Sequence, residues 1–177
     1  MILGMSLPTF TLLHVVISLV GIGSGVVVLY GLTASKRLDG WTKLFLLTTI
    51  ATSLTGFLFP NSRITPGIVI GVLSLIVLAG AIAARYGFHL TGAWRPTYVV
   101  CASLALYFNC FVLVVQSFEK VPALRAAAPT QKEPPFAVAQ LVVLALFIVA
   151  TVLAVRRFHP ESTLASSLSA SSHKRAA

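Results

Sequence analysis

Five long apolar runs separated by short polar links make up most of this chain. The first run, Phe10 to Leu32, has 23 residues and contains no Asp, Glu, Lys or Arg. A helix of that length is about 34 Å long, enough to cross the roughly 30 Å hydrocarbon core of a bilayer. The pattern therefore predicts an all-α integral membrane protein, a compact bundle of five transmembrane helices. The predicted spans are about residues 10–32, 44–60, 66–86, 96–118 and 136–157.

The links between the runs predict how the spans are connected. The link at 61–65 is so short that spans two and three should be antiparallel neighbours. The longest link, residues 119–135, contains four prolines, which predicts an extended, semi-rigid segment instead of a helix. The start of the chain lacks the basic region of a secretory signal, so we expect the first span to be retained. Residues 1–158 are predicted to form one domain, and the basic, Ser/Ala-rich residues 159–177 a disordered cytoplasmic tail.

Composition and charge support the membrane interpretation and predict an orientation. The chain is 57% hydrophobic and 10% charged, with a mean hydropathy of +0.94, whereas soluble domains are about 25% charged. Despite the net charge of +9, the Lys and Arg residues lie between or beyond the apolar runs, which argues against a nucleic-acid partner. Their excess on the side of the C-terminus predicts an outside N-terminus and an inside C-terminus. We expect a multi-pass protein of a bacterial inner (cytoplasmic) membrane.

Small and polar residues predict which helix faces pack against protein. Span two carries an arc of such residues, which should face other helices and place this span near the centre of the bundle. Two GxxxG patterns in spans one and three, together with a glycine in span two, predict close helix packing. The residues of the arc are Thr48, Thr49, Thr52, Ser53, Thr55 and Gly56, and the packing glycines are Gly21, Gly25, Gly56, Gly67 and Gly71.

His14 is the only His or charged residue deep inside an apolar run. An ionisable residue inside a membrane span is a functional-site hypothesis by default, although a hydroxyl or backbone group across a helix contact would also satisfy the imidazole. Polar residues near the same depth allow an outward-facing polar pocket around His14. The candidate pocket residues are His14, Ser18, Thr52, Thr55, Asn109, Gln116 and Gln140.

The sequence favours neither a cofactor nor catalysis. The other histidines, such as His89, lie across the membrane from His14 or beyond the last span, so an intramolecular bis-His haem is not expected. A haem shared across a dimer, or one using Met1 or Met5 as a second ligand, stays open. Cys101 and Cys110 are too far apart along one helix to form a disulfide. The acids all lie in links or tail, which leaves no base and nucleophile for catalysis and no metal site.

The predicted function is therefore binding. The leading hypothesis is a non-catalytic accessory or assembly subunit of a membrane complex, or a homo-oligomer, with the lipid bilayer and other membrane subunits as partners. The alternative is a ligand-binding or sensing protein that holds a hydrophobic small molecule, such as a quinone or tetrapyrrole, in the pocket around His14. A third alternative, a small transporter or channel, has only His14 for proton coupling, and the chain shows no internal repeat.

Overall fold

The computed structural model describes residue 2, residues 4–60 and residues 65–159. Most of the 61–65 link, and the predicted tail from residue 160 onward, lie outside these described residues. The described part of the chain is helical and contains no strand. Its helices are α1 (Leu7–Thr33), α2 (Asp39–Phe57), α3 (Pro66–Ile82) with a π-helical turn at Ala83–Gly87, α4 (Trp94–Lys120), α5 (Pro122–Ala127) and α6 (Pro134–Arg157).

Four of these helices are long and apolar enough to cross a membrane, namely α1, α3 with its π-helical turn, α4 and α6. They begin and end within a few residues of the predicted spans. Their starts follow from capping: the Ser6 hydroxyl accepts the Thr9 N–H, and the Thr65 hydroxyl accepts the Ile68 N–H. The second predicted span is also a helix, but the threonines and the charged first turn of α2 give it a lower hydropathy. Length and composition thus support four spans.

The five long helices form a closed ring in which α4 is the most buried member. The helices follow one another around the ring in the order α1, α2, α3, α4 and α6, each packed against the next, and α6 packs against α1 to close the ring. Helix α4 also contacts α1 across the ring, whereas the contact between α2 and α4 is small. The expectation that α2 lies near the centre is therefore wrong. The buried face of α4 includes Tyr98, Ala102, Ala105 and Leu106, and alanines there allow close approach.

The polar arc of α2 nevertheless faces protein, as the pattern predicts. Thr49 and Ser53 are buried between helices, while Leu54 and Leu58 on the opposite side are exposed. Helix α6 is the least buried of the ring, with Ala154 its single buried residue. In a bilayer, exposed apolar faces such as these contact lipid.

Three glycines make the helix contacts close. A Cβ atom on Gly25 would come within 2.5 Å of Leu106 and 2.8 Å of Phe45. A Cβ on Gly21 would lie 3.2 Å from the Thr48 hydroxyl oxygen, and a Cβ on Gly71 would lie 3.0 Å from the Phe57 ring at the end of α2. The first GxxxG pattern is therefore used inside the ring.

The two other predicted packing glycines have more room. A Cβ on Gly56 would make only an ordinary contact with His14, at 3.8 Å. Gly67 is exposed, and a Cβ there would meet only Thr65, a residue just before its own helix. Within the described residues Gly67 does not pack against another helix, because it lies in the first turn of α3, at the edge of the bundle.

The proline-containing link is partly helical, contrary to the expectation of an extended segment. Helix α5 occupies Pro122–Ala127, since Pro122 stands at the first helical position, where its missing N–H costs nothing. The rest of the link is tied down by side chains. The Gln131 amide donates to the Val115 carbonyl at 3.1 Å, and the Glu133 carboxylate accepts from the Thr130 hydroxyl at 2.9 Å. The link therefore packs against α4.

Candidate functional site

The two ends of the ring carry different polar groups, and we name them after these. At the histidine end α1, α3 and α6 begin while α2 and α4 end, and His14 and Thr55 lie there. At the arginine end the helix directions are reversed, and Asp39, Arg85 and Arg95 lie there.

At the histidine end, His14 is held between a hydroxyl and an aromatic ring. Its Nδ1 lies 2.8 Å from the Thr55 hydroxyl oxygen on α2. The Phe59 ring meets the imidazole edge-on, with centroids 5.2 Å apart, and Phe10 packs against Phe59. His14 is the eighth residue of α1, so it lies about 10 Å along the helix axis from the start of the helix. The imidazole is therefore fixed in one orientation while remaining half-buried.

The hydrogen bonds of Thr55 determine which His14 nitrogen carries the proton. The Thr55 hydroxyl donates back to the Ala51 carbonyl at 2.7 Å, as threonines in helices commonly do. A hydroxyl has one proton to donate, so its contact with His14 is one in which Nδ1–H donates and Thr55 accepts. In the neutral ring Nε2 then carries the lone pair. Within the described residues Nε2 makes no hydrogen bond, so it is available as a ligand or acceptor.

The other predicted pocket residues form separate pairs. The Asn109 amide on α4 donates to Thr49 at 3.2 Å, about two helical turns deeper than His14, where Gly21 makes room. The Gln140 amide on α6 donates to the Phe111 carbonyl of α4 at 3.2 Å, and its own side-chain oxygen is buried with no hydrogen-bond partner in the described part of the chain. These contacts join α4 to α2 and α6.

Three more predicted pocket residues have other surroundings. The Ser18 hydroxyl donates to the His14 backbone carbonyl at 2.7 Å. The Thr52 hydroxyl is buried and has no hydrogen-bond partner among the described residues. Gln116 is exposed on α4 and does not line a polar interior. Of the seven predicted pocket residues, the described structure joins only Thr55 to the His14 side chain.

Between the Asn109–Thr49 bond and the arginine end, the interior between α1, α2 and α4 is largely apolar and filled. A crevice lined by Gly25, Val28, Phe45 and Leu106 leaves no room for a water molecule. Within the described residues, no group of three His, Cys, Asp or Glu side chains is arranged to hold a metal ion. Cys101 and Cys110 are free thiols.

Sequence reasoning missed the arginine end. Arg85, in the π-helical turn, is 4% exposed and donates to the Asp39 carboxylate. Its guanidinium carbon lies 5.1 Å from the centroid of the Tyr98 ring and 5.7 Å from that of Tyr86, within the range of cation–π attraction. Arg37 approaches the same carboxylate at 3.7 Å. The available signal was that Asp39 is the only acid in the links between spans on this side of the predicted membrane.

Arg95 lies next to this cluster, in the first turn of α4 and three residues before Tyr98. Its Nε is buried without a hydrogen-bond partner among the described residues. Beside it the Trp94 ring stacks in parallel on Phe88, with centroids 3.8 Å apart, and both rings are partly exposed. The loop between them contains His89 and Leu90 with positive φ angles.

The fold and these two clusters define an all-helical protein with several membrane-span-like helices, whose polar side chains lie largely between helices. The sequence matches no protein-family model, and neither a curated protein nor a solved structure matches it.

Proposed function

We propose that this chain is a five-span protein of a bacterial inner membrane, with its N-terminus outside and its C-terminus inside, and that it acts through binding. In this proposal α2 is the fifth span. It fits because α2 packs side by side with α1 and α3 over its length and shares their apolar outer surface. The positive-inside rule then places the arginine end in the cytoplasm.

The role that fits best is an accessory or assembly subunit of a membrane complex, or a homo-oligomer. The observation that supports it is that polar side chains inside the ring, such as Asn109 and Gln140, are engaged in bonds between helices. Such bonds hold helices together in lipid. What the ring offers other molecules is its apolar outer surface, most of all that of α6.

Native mass spectrometry of the protein released directly from its membrane tests this role. We expect masses well above the 18.8 kDa of one chain, from further subunits or from copies of this chain. A single chain released without protein partners, at low detergent and at its natural abundance, would refute the subunit hypothesis.

Cysteine labelling in whole cells tests the orientation. In a background where Cys101 and Cys110 are replaced by alanine, we expect Thr130→Cys to react with an impermeant maleimide from outside. We expect Lys36→Cys to react only after the membrane is permeabilised. The reverse pattern would place the histidine end in the cytoplasm.

The alternative, a ligand-binding or sensing protein, is favoured by the geometry of His14. A fixed Nδ1–H is the usual arrangement of a histidine that uses Nε2 to bind a ligand. The lone pair on Nε2 suits the metal of a tetrapyrrole or the hydroxyl of a quinol. It does not suit the carbonyl of an oxidised quinone, which needs a donor.

The absorbance spectrum and lipid extract of the purified protein test this alternative. We expect a Soret band or a co-purified quinol in the natural protein, lost in His14→Ala and kept in the control His89→Ala, whose side chain is exposed at the opposite end. A colourless, quinone-free preparation, or a ligand kept by His14→Ala, would contradict ligand binding at His14. Loss of expression in His14→Ala alone would indicate a packing role.

A further inference from the structure

The arginine end has far more positive than negative charge. Seven Lys and Arg side chains lie there in the described residues, in the links and helix ends at 34–43, 83–95 and 156–157, and Asp39 is the one carboxylate. At the histidine end, the part of the chain that the structure describes has three basic residues and two acids, Glu119 and Glu133. Most of the positive charge at the arginine end therefore has no protein counter-charge among the described residues.

The one carboxylate that the described residues place at this end is already paired. Asp39 accepts from the buried Arg85 guanidinium and lies 3.7 Å from Arg37. Neither contact involves Arg95, whose side chain makes no hydrogen bond or ion pair in the part of the chain that the structure describes. Arg95 thus combines a permanent charge with a buried Nε–H that has no acceptor.

The protein closes Arg95 Nε off from solvent, so a ligand would meet the terminal guanidinium nitrogens, which have no acceptor among the described residues. A guanidinium binds phosphate through two parallel N–H···O bonds. The neighbouring Trp94–Phe88 stack is exposed and aromatic, as side chains at the level of lipid headgroups often are. Charge, depth and the unpaired terminal nitrogens thus favour a phosphate group at Arg95.

We propose that the arginine end binds the phosphate of an anionic lipid headgroup, with Arg95 as the main contact and the Trp94–Phe88 stack against the glycerol and upper acyl chains. The Arg85–Asp39 pair engages the one carboxylate that the described part of the chain has at this end, so Asp39 is not free to pair with Arg95. The site is independent of His14 and of whether the chain is a subunit or a ligand-binding protein.

Native mass spectrometry of the delipidated full chain in a neutral detergent tests the site. The probes are phosphatidylglycerol, zwitterionic phosphatidylcholine and inorganic phosphate. We expect one tightly held phosphatidylglycerol per chain, with at least tenfold weaker retention in Arg95→Gln. The matched control is Arg156→Gln, which removes an exposed charge from the same end and should keep the lipid. Arg95→Lys keeps the positive charge but replaces the planar guanidinium, which can form two parallel hydrogen bonds, by an ammonium group, so we expect intermediate retention of the lipid.

The outcomes separate the sources of the phosphate group. Displacement of the lipid by millimolar inorganic phosphate would overturn the headgroup proposal in favour of a free-phosphate site. Equal retention of phosphatidylcholine, or equal loss in Arg95→Gln and Arg156→Gln, would overturn it in favour of general charge attraction. Retention in Arg95→Lys equal to that of the natural protein would exclude recognition by the guanidinium. Helical content in phosphatidylcholine bicelles verifies that each variant is folded.

Discussion

The two ends of the ring hold their innermost polar groups in different ways. At the histidine end a neutral imidazole is paired with one hydroxyl, and no carboxylate contacts it. At the arginine end the Arg85 guanidinium is buried against two aromatic rings and paired with a carboxylate. A neutral donor needs one acceptor, whereas a buried charge needs a counter-charge as well. The difference shows that helix pairing can be achieved by a weak neutral bond at one end and by an ion pair at the other.

The ion pair between Arg85 and Asp39 should therefore stabilise the fold more than the neutral His14–Thr55 hydrogen bond. Its loss should lower the free energy of unfolding the most. In Asp39→Asn the buried Arg85 keeps its charge without a counter-charge. We expect the free energy of unfolding to fall by about 2 kcal/mol, less than for a fully buried pair because the Asp39 side chain is 61% exposed. Unfolding with sodium dodecyl sulfate in bicelles, followed by circular dichroism, measures the change.

The matched control for that prediction is Glu119→Gln at the histidine end. Glu119 lies 3.8 Å from Lys120, and both side chains are more than half exposed. We expect a change below about 0.5 kcal/mol, since exposed ion pairs contribute little. Equal effects of the two substitutions would remove the distinction between the ends.

The contact between α1, α2 and α4 lies between the two ends of the ring, and Gly25 of α1 is its closest point. In Gly25→Ala the new methyl group would overlap Leu106 and the rigid Phe45 ring. We expect a loss of about 1–2 kcal/mol from overpacking, measured by the same unfolding assay. The control is Gly23→Ala, on the exposed side of the same helix with no atom within 4 Å. A stable Gly25→Ala variant would mean that the helices separate easily at this point.

The sequence pattern predicts the helices better than it predicts their neighbours. Spans are determined by length and hydropathy, which are local, so four of the predicted spans coincide to within a few residues with helices long and apolar enough to cross a membrane. The burial of α4 depends on which apolar face meets protein and which meets lipid. Leu106 is buried and Leu104 exposed, yet both are leucines in one apolar run. Because lipid and protein interior are equally apolar, composition does not distinguish them.

For the polar residues, too, the sequence predicts some orientations and not others. The arc on α2 could be predicted to face protein because several hydroxyls share one side, whereas the exposure of Gln116 could not, since one residue near a helix end can reach the interface. The sequence pattern identifies Arg85 only as one of the charges that set the topology. Its partner Asp39 is 46 residues away, and no periodicity relates positions on different helices.

The neutral bond at the histidine end should be weaker than the ion pair, and a double-mutant cycle measures it. Thr55→Val removes the acceptor of His14 Nδ1–H, and His14→Phe removes the donor. Hydrogen bonds between membrane helices average about 0.6 kcal/mol and reach about 1.7, so we expect a coupling energy in that range. A coupling above the effect of Asp39→Asn would reverse the ranking of the ends. A coupling of zero would mean that the 2.8 Å contact does not stabilise the fold.

The smallest effect is expected from the exposed acid that precedes α6 at the histidine end. Desolvation raises the pKa of Glu133 and is the largest single effect, but the hydrogen bonds from the Thr130 hydroxyl and from the backbone N–H groups of Thr130 and Lys132 together outweigh it and lower the pKa below its ordinary value. A lowered pKa means that the bonds stabilise the link above the pKa of the unfolded chain. That contribution is lost as the pH falls through the folded pKa. The protection of the Thr130 amide against hydrogen exchange, taken relative to its intrinsic rate at each pH, should therefore fall in acid, and Thr130→Val should raise the Glu133 pKa, read by carboxyl NMR titration. An unchanged pKa in Thr130→Val would show that the hydroxyl does not hold the carboxylate. The charged groups of this end would then be solvated individually, in contrast to the paired Asp39.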